Sequence, residues 1–92
     1  MEHLSIKEIY DRLSELEGWE LTGNEITKEF NFNSHKEAVE FVQKIGQEAE
    51  RENHHPNISI RQNIVTINLT THDANGLTYK DFKMARIIEQ VV

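Results

Sequence analysis

The apolar residues of this 92-residue chain switch repeatedly between two periods, and that alternation constrains the fold more than any other feature. Ile6, Ile9, Leu13 and Leu16 recur at helical spacing, whereas Trp19 and Leu21, then Ile26, Phe30 and Phe32, recur at the period of a strand. Ala38, Phe41, Val42, Ile45 and Ala49 return to helical spacing. Ile58, Ile60, Val65, Ile67 and Leu69 return to alternation. Met84, Ile87, Ile88 and Val91, widened by Phe82 and Ala85, form a last helical stripe. The order is α-β-β-α-β-β-α, an α+β pattern. Gly23-Asn24 and Gln62-Asn63 stand where each strand pair must turn. Two hairpins interleaved with helices pack economically as a single four-stranded antiparallel sheet with the three helices on one face.

Each helical stretch opens on a hydroxyl residue with an acid three positions later: Ser5 with Glu8, Ser34 with Glu37, Thr78 with Asp81. The hydroxyl accepts from a free backbone N–H and the acid suits the positive end of the helix dipole, so all three are predicted helix starts. Gly18 is the expected C-terminal cap of the first helix. No linker or low-complexity stretch interrupts the chain, which predicts one domain over residues 1–92.

With no cysteine, disulfides and thiolate metal sites are excluded. A chain this short buries a modest core, and a four-stranded sheet has two edges open to pairing. Together these predict a homodimer. Sixteen acids against ten bases give a net charge of −6, a field that repels phosphate backbones and argues against direct nucleic-acid binding. The apolar run around Ile87 and Ile88 is too short to span a membrane. The first ten residues, MEHLSIKEIY, lack the basic start and apolar stretch of a signal peptide, so a soluble cytoplasmic protein is expected.

Chemistry concentrates in three of the five histidines. In Glu50-Arg51-Glu52-Asn53-His54-His55-Pro56, the proline disfavours helical geometry at His55, so the second helix should end there. Glu50 and His54, four apart, are expected to share a helical face, with Glu50 accepting from one ring nitrogen of His54 and setting its tautomer. His72, in Thr70-Thr71-His72-Asp73, ends the fourth strand. Strands three and four form a hairpin, so the start of one lies near the end of the other, and connectivity alone brings His54, His55 and His72 together. Singly, the His-His-Pro run reads as an exposed turn and the His72–Gly76 stretch as a polar loop. Glu50 alone reads as one more acid on a solvated helix face. Their convergence makes an acid/base site. His3 and His35, at helix starts, read as surface residues. Glu50, His54 and His72 also suit a three-ligand zinc site, although no His-x-x-x-His or thiolate spacing is present; metal-free proton transfer is the preferred reading. No Gly-rich phosphate loop, serine elbow or cysteine nucleophile occurs.

The run from Glu50 to Pro56, then Val65-Thr66-Ile67-Asn68-Leu69-Thr70-Thr71-His72-Asp73, Gly76-Leu77-Thr78 and Asp81, resembles the pterin-4a-carbinolamine dehydratase family, as does the closing Ile88-Glu89-Gln90. The resemblance implies a cofactor-free hydro-lyase that dehydrates 4a-hydroxytetrahydrobiopterin, the product of aromatic amino acid hydroxylases, to quinonoid dihydropterin. Carried over, His54 and His72 match the acid/base pair, His55 a pterin-contacting histidine and Glu50 the acid supporting the cluster. Thr70 and Thr71 match contacts to the pterin ring, with Asp73 beside them. Imidazole, with a reference pKa of roughly 6.5, serves as acid or base near neutrality. Two positions depart from the pattern. Ile58 stands where the family commonly has an aromatic residue, which would alter one wall of the pocket, and Arg51 replaces the usual lysine. The resemblance also implies a homodimer or a homotetramer paired along the second helix, the 34–53 stretch. An alternative is a non-catalytic binding, assembly or transcriptional co-regulator module on the same fold, since animal members of the family partner a homeodomain transcription factor.

Overall fold

A computed structural model describes residues 2–92; Met1, the first residue of the expected domain, lies outside the described residues. The elements follow the expected order: α1 (Ile6–Leu13), β1 (Glu20–Thr22), β2 (Glu25–Asn31), α2 (His35–Glu52), β3 (Asn57–Arg61), β4 (Ile64–Leu69) and α3 (Tyr79–Val91), with a short 3-10 turn at His72–Ala74 before α3. The strands form one antiparallel sheet in the order β1-β2-β4-β3. Because β4 returns between β2 and β3, those two run parallel, joined across one face by α2.

Register explains why the helices share that face. Leu21 pairs with Ile26, Ile26 with Leu69, Phe30 with Val65, Ile58 with Ile67 and Ile60 with Val65. Paired residues in an antiparallel sheet point the same way, so these apolar side chains lie on one surface. The opposite surface carries Thr22, Glu25, Thr27, Glu29, Ser59, Thr66 and Asn68, where Thr27 donates to Asn68 and Asn68 to Glu25. Onto the apolar surface α2 lays Ala38, Phe41, Ile45 and Ala49, and α3 lays Phe82, Met84, Ala85 and Ile88, all buried. Trp19, Phe30, Phe41 and Phe32 form a continuous run of ring contacts, with centroids 4.9–6.2 Å apart. Ile58 is half-buried in this packing.

All three predicted helix starts are formed. Ser5 with Glu8 and Thr78 with Asp81 make full capping boxes. At α2, Ser34 accepts from the Glu37 N–H, while the Glu37 carboxylate reaches past the cap to the Asn33 N–H. The first helix corrects one expectation. It ends at Leu13 with Ser14 as its C-cap, and Gly18 instead supplies a left-handed residue (φ 82°) just before Trp19. The chain must reverse over residues 14–18 to carry Leu16 and Trp19 onto the core, and a helix continued to Gly18 would not make that reversal. Among the described residues no helix is long and apolar enough to cross a membrane.

Candidate active site

The end of α2 sets the first two histidines. Asn53 is its C-cap in the left-handed conformation (φ 53°), and the His54 N–H bonds back to the Ala49 carbonyl at 3.1 Å. This Schellman-type closure takes His54 off the helix. The expected Glu50–His54 pairing is therefore not formed, because i, i+4 spacing holds only along a continuing helix. Glu50 points to solvent, its side chain 80% exposed, and lies 3.4 Å from Nε2 of His55, itself largely exposed.

His54 turns inward, and its side chain is only 12% exposed. Its Nε2 lies 2.6 Å from Oδ1 of Asp81, a carboxylate with no solvent exposure. Oδ2 of Asp81 accepts from the Thr78 N–H at 2.9 Å and from the Thr71 hydroxyl at 2.8 Å. The Thr71 and Thr78 hydroxyls are 2.8 Å apart. Since the single Thr71 hydroxyl hydrogen goes to Asp81, Thr78 is the donor between them. Every fully buried polar side-chain atom of this cluster has a partner. A carboxylate accepts only, so His54 carries its proton on Nε2 and leaves Nδ1 as the nitrogen available for exchange.

The third histidine opens the 3-10 turn after β4. That turn is tied by Ala74 N–H to Thr71 carbonyl (3.1 Å), Asn75 N–H to His72 carbonyl (3.0 Å) and a paired bridge between Thr71 and Gly76. The segment before α1 braces it from outside. The Leu4 N–H bonds the Leu77 carbonyl at 2.7 Å, and a Cβ added at Gly76 would lie 3.0 Å from Cβ of His3. His3 and His35 are exposed as expected, yet not unengaged, since Nδ1 of His35 lies 2.6 Å from the Gln62 carbonyl.

His54, His55 and His72 line one depression of about 300 Å³, together with Asn53, Thr70, Thr71, Asp73 and Lys80. The β3–β4 hairpin brings the three histidines to one end of the sheet, where Asn57 faces Asn68. Glu50 and Ile58 are not among the lining residues. The Thr70 hydroxyl donates to the Asn24 carbonyl, and the Thr71 hydroxyl is committed to Asp81, so neither is a free donor. The Glu50, His54 and His72 arrangement that spacing allowed for zinc is not assembled, and no other group of three or more His, Cys, Asp or Glu able to hold a metal occurs among the described residues. Two contributors escape a reading by neighbour spacing, Asp81 and Lys80. A signal for Asp81 existed: with Ala85 and Ile88 it stands at i, i+4 and i+7 on the apolar stripe of α3, where an exposed capping acid would not belong.

Residues 2–91 match the family model described as pterin 4 alpha carbinolamine dehydratase. The chain belongs to the pterin-4-alpha-carbinolamine dehydratase family. Two relatives carry that enzyme's name provisionally. One, from Roseiflexus sp. (strain RS-1), is 48% identical over 89 residues, covering 97% of this chain and 96% of its own. The other, from Sulfurisphaera tokodaii, is 44% identical over 92 residues, covering 100% and 99%. A crystal structure described as a transcriptional coactivator/pterin dehydratase from Brucella melitensis superposes with a TM-score of 0.93 at 33% identity, covering 97% of each chain. A pterin dehydratase-like protein described as a RuBisCO assembly factor in the alpha-carboxysome shares the fold, with a TM-score of 0.66 at 19% identity over 79% of this chain and 84% of its own. The relatives at 33% to 48% identity carry dehydratase descriptions, one of them together with a coactivator description, and the assembly factor shares the fold alone.

Proposed function

We propose that this member of the family is a hydro-lyase that converts 4a-hydroxytetrahydrobiopterin to quinonoid dihydropterin and water by histidine acid/base catalysis. The observation that carries this reading is the His54–Asp81 pair, a nearly enclosed imidazole held in one tautomer at the wall of a depression that two further imidazoles also line. The reaction needs two proton transfers. One imidazole, protonated, gives its proton to the departing 4a-hydroxyl as the C4a–O bond breaks. A neutral one takes the proton from N5, and the N5–H electron pair becomes the N5=C4a double bond. His54 through Nδ1, and His72 across the depression, are assigned these two roles, with His55 contacting the pterin head. Asp81 acts on His54 as a positioning residue. Asp73 and the backbone around Thr70 and Thr71 complete the wall that meets the ring. Positioned proton transfer contributes roughly 10²–10⁴-fold. The chemistry assigned to these residues calls on no cofactor.

The reading extends to residues 1–92 working as one domain, to a cytoplasmic homodimer or homotetramer, and to recycling of the pterin cofactor of an aromatic amino acid hydroxylase. Family membership supports each. The open lateral edges of β1 and β3 support the oligomer. A second reading, a binding or co-regulator module without catalysis, takes up only the coactivator half of the description of the Brucella melitensis relative. It does not account for a buried carboxylate spent on orienting one histidine of three.

Stopped-flow dehydration of a freshly generated 4a-hydroxytetrahydropterin separates the two. Acceleration over buffer by the wild type, lost in the His54→Ala, His72→Ala double variant with its far-ultraviolet dichroism intact, is the expected result. A wild-type rate equal to buffer leaves the non-catalytic reading standing.

A further inference from the structure

The three-histidine depression does not end at His54. His54 and Lys80 also line a second recess of about 120 Å³, whose other walls are Glu52, Tyr79 and Lys83. The two hollows thus share a ridge made of one imidazole and one lysine. At about 300 Å³ the first hollow lies at the small end of ligand sites, about 300–1,000 Å³. The bicyclic head of the substrate proposed above would fill it, and a side arm attached to that head would extend beyond it.

The charge on the ridge is unusual for this chain, whose net charge is −6. Lys7, Lys28 and Lys83 are ion-paired with Asp11, Glu89 and Glu52. Among the described residues Lys36, Lys44 and Lys80 have no carboxylate partner, and of these only Lys80 is half-buried. A half-buried lysine lays its stem along the protein and keeps its ammonium at the surface, where an anionic ligand can reach it. Lys80 lines both hollows, and its ammonium has neither a hydrogen-bond acceptor nor a carboxylate partner among the described residues. Beside it, Tyr79, 57% exposed, contributes an aromatic wall to the second recess. A half-buried cation lacking a partner, an exposed aromatic residue and a wall shared with the three-histidine depression describe a subsite for an acidic group on an arm.

Resting on the dehydratase reading above, we propose that Lys80 sets substrate specificity. Its ammonium holds a carboxylate or phosphate on the side arm of the 4a-hydroxytetrahydropterin, the arm crossing the His54–Lys80 ridge toward Tyr79 and Lys83. The dihydroxypropyl arm of 4a-hydroxytetrahydrobiopterin is accepted in the same reaction, and a pterin with an anionic arm is preferred over it. Lys83, already paired with Glu52, contributes a weaker second charge.

Three freshly generated 4a-hydroxytetrahydropterins that differ only in the arm test this: dihydroxypropyl, carboxylate-bearing and phosphate-bearing. For the wild type, kcat/KM is expected to favour an anionic arm by about tenfold, the scale of one charge-assisted hydrogen bond. The gain should sit in KM and shrink with added salt. Lys80→Gln brings the ratio between anionic and neutral arms close to one, and Lys80→Arg restores it. The arm with the larger ratio identifies carboxylate or phosphate. A ratio near one in the wild type, or a tenfold ratio that survives Lys80→Gln, overturns the specificity assignment while leaving the dehydratase standing. No dehydration with any arm overturns both.

Discussion

Replacing Asp81 by Asn keeps the shape of the side chain and removes its uniform acceptor character. The Asn carbonyl still serves the Thr78 N–H and Thr71 hydroxyl, but its amide then presents N–H to Nε2 of His54, where a donor already sits. The ring must move its proton to Nδ1, the nitrogen to which the proposed mechanism assigns proton exchange. A fall in kcat of about 10²–10⁴-fold is expected, with a stability loss of about 1–3 kcal/mol. Nitrogen-15 shifts of the His54 ring should report the change from Nε2–H to Nδ1–H. Glu50→Gln is the counter-case: an exposed contact at 3.4 Å is worth at most about 1 kcal/mol, so kcat should change by less than about fivefold. A large Glu50 effect beside a small Asp81 effect would reverse the two assignments. The histidines themselves were legible because hairpin connectivity places them regardless of rotamer. The carboxylate was not, since spacing reveals neighbours within one helix, and Asp81 reaches His54 from 27 residues away.

At the scale of elements, local chemistry explains why the helix starts were legible and some of the ends were not. A capping box is a contract between residues three apart, visible in any sequence that carries it. The ends depend on where the chain must go next: Asn53 takes the left-handed conformation to launch β3, and Ser14 ends α1 to bring Trp19 to the sheet. The box at α1 also carries a pH signature. The Ser5 backbone N–H, and after it the Ser5 hydroxyl, hold the Glu8 carboxyl below the usual carboxylate range. A group whose folded pKa is lowered stabilises the fold above its unfolded pKa and loses that contribution as pH falls through the folded value. The wild type should therefore unfold at higher urea than Glu8→Gln near neutrality, and the gap should close as the pH is taken down through the carboxylate range. A gap unchanged across that window would show that the box contributes through shape and not charge.

Across the whole molecule, one carboxylate ties the first hairpin to the last helix. Oε2 of Glu89 accepts from Nε1 of Trp19 at 3.0 Å and from Nζ of Lys28 at 2.8 Å, and the same ammonium reaches the Glu17 carbonyl and lies over the Phe30 ring. Lys28 occupies a core-facing position of β2, opposite Ile67, so its charge depends on these partners. Glu89→Ala should cost about 1–3 kcal/mol, because it strands an indole N–H and weakens the pairing of a mostly buried ammonium. The site should not share in that loss. Glu89 is eight residues beyond Asp81 on α3, about 12 Å along the helix, and touches nothing that lines the depression. Trp19 is the sole tryptophan, so its fluorescence reports this junction directly. The expected outcome is an altered Trp19 emission and an earlier urea midpoint, with kcat/KM unchanged at temperatures where the variant is folded. Loss of activity in the folded variant would mean that the junction and the site are mechanically joined through α3. Asp81 would then be positioned by the whole helix and not only by Thr71 and Thr78.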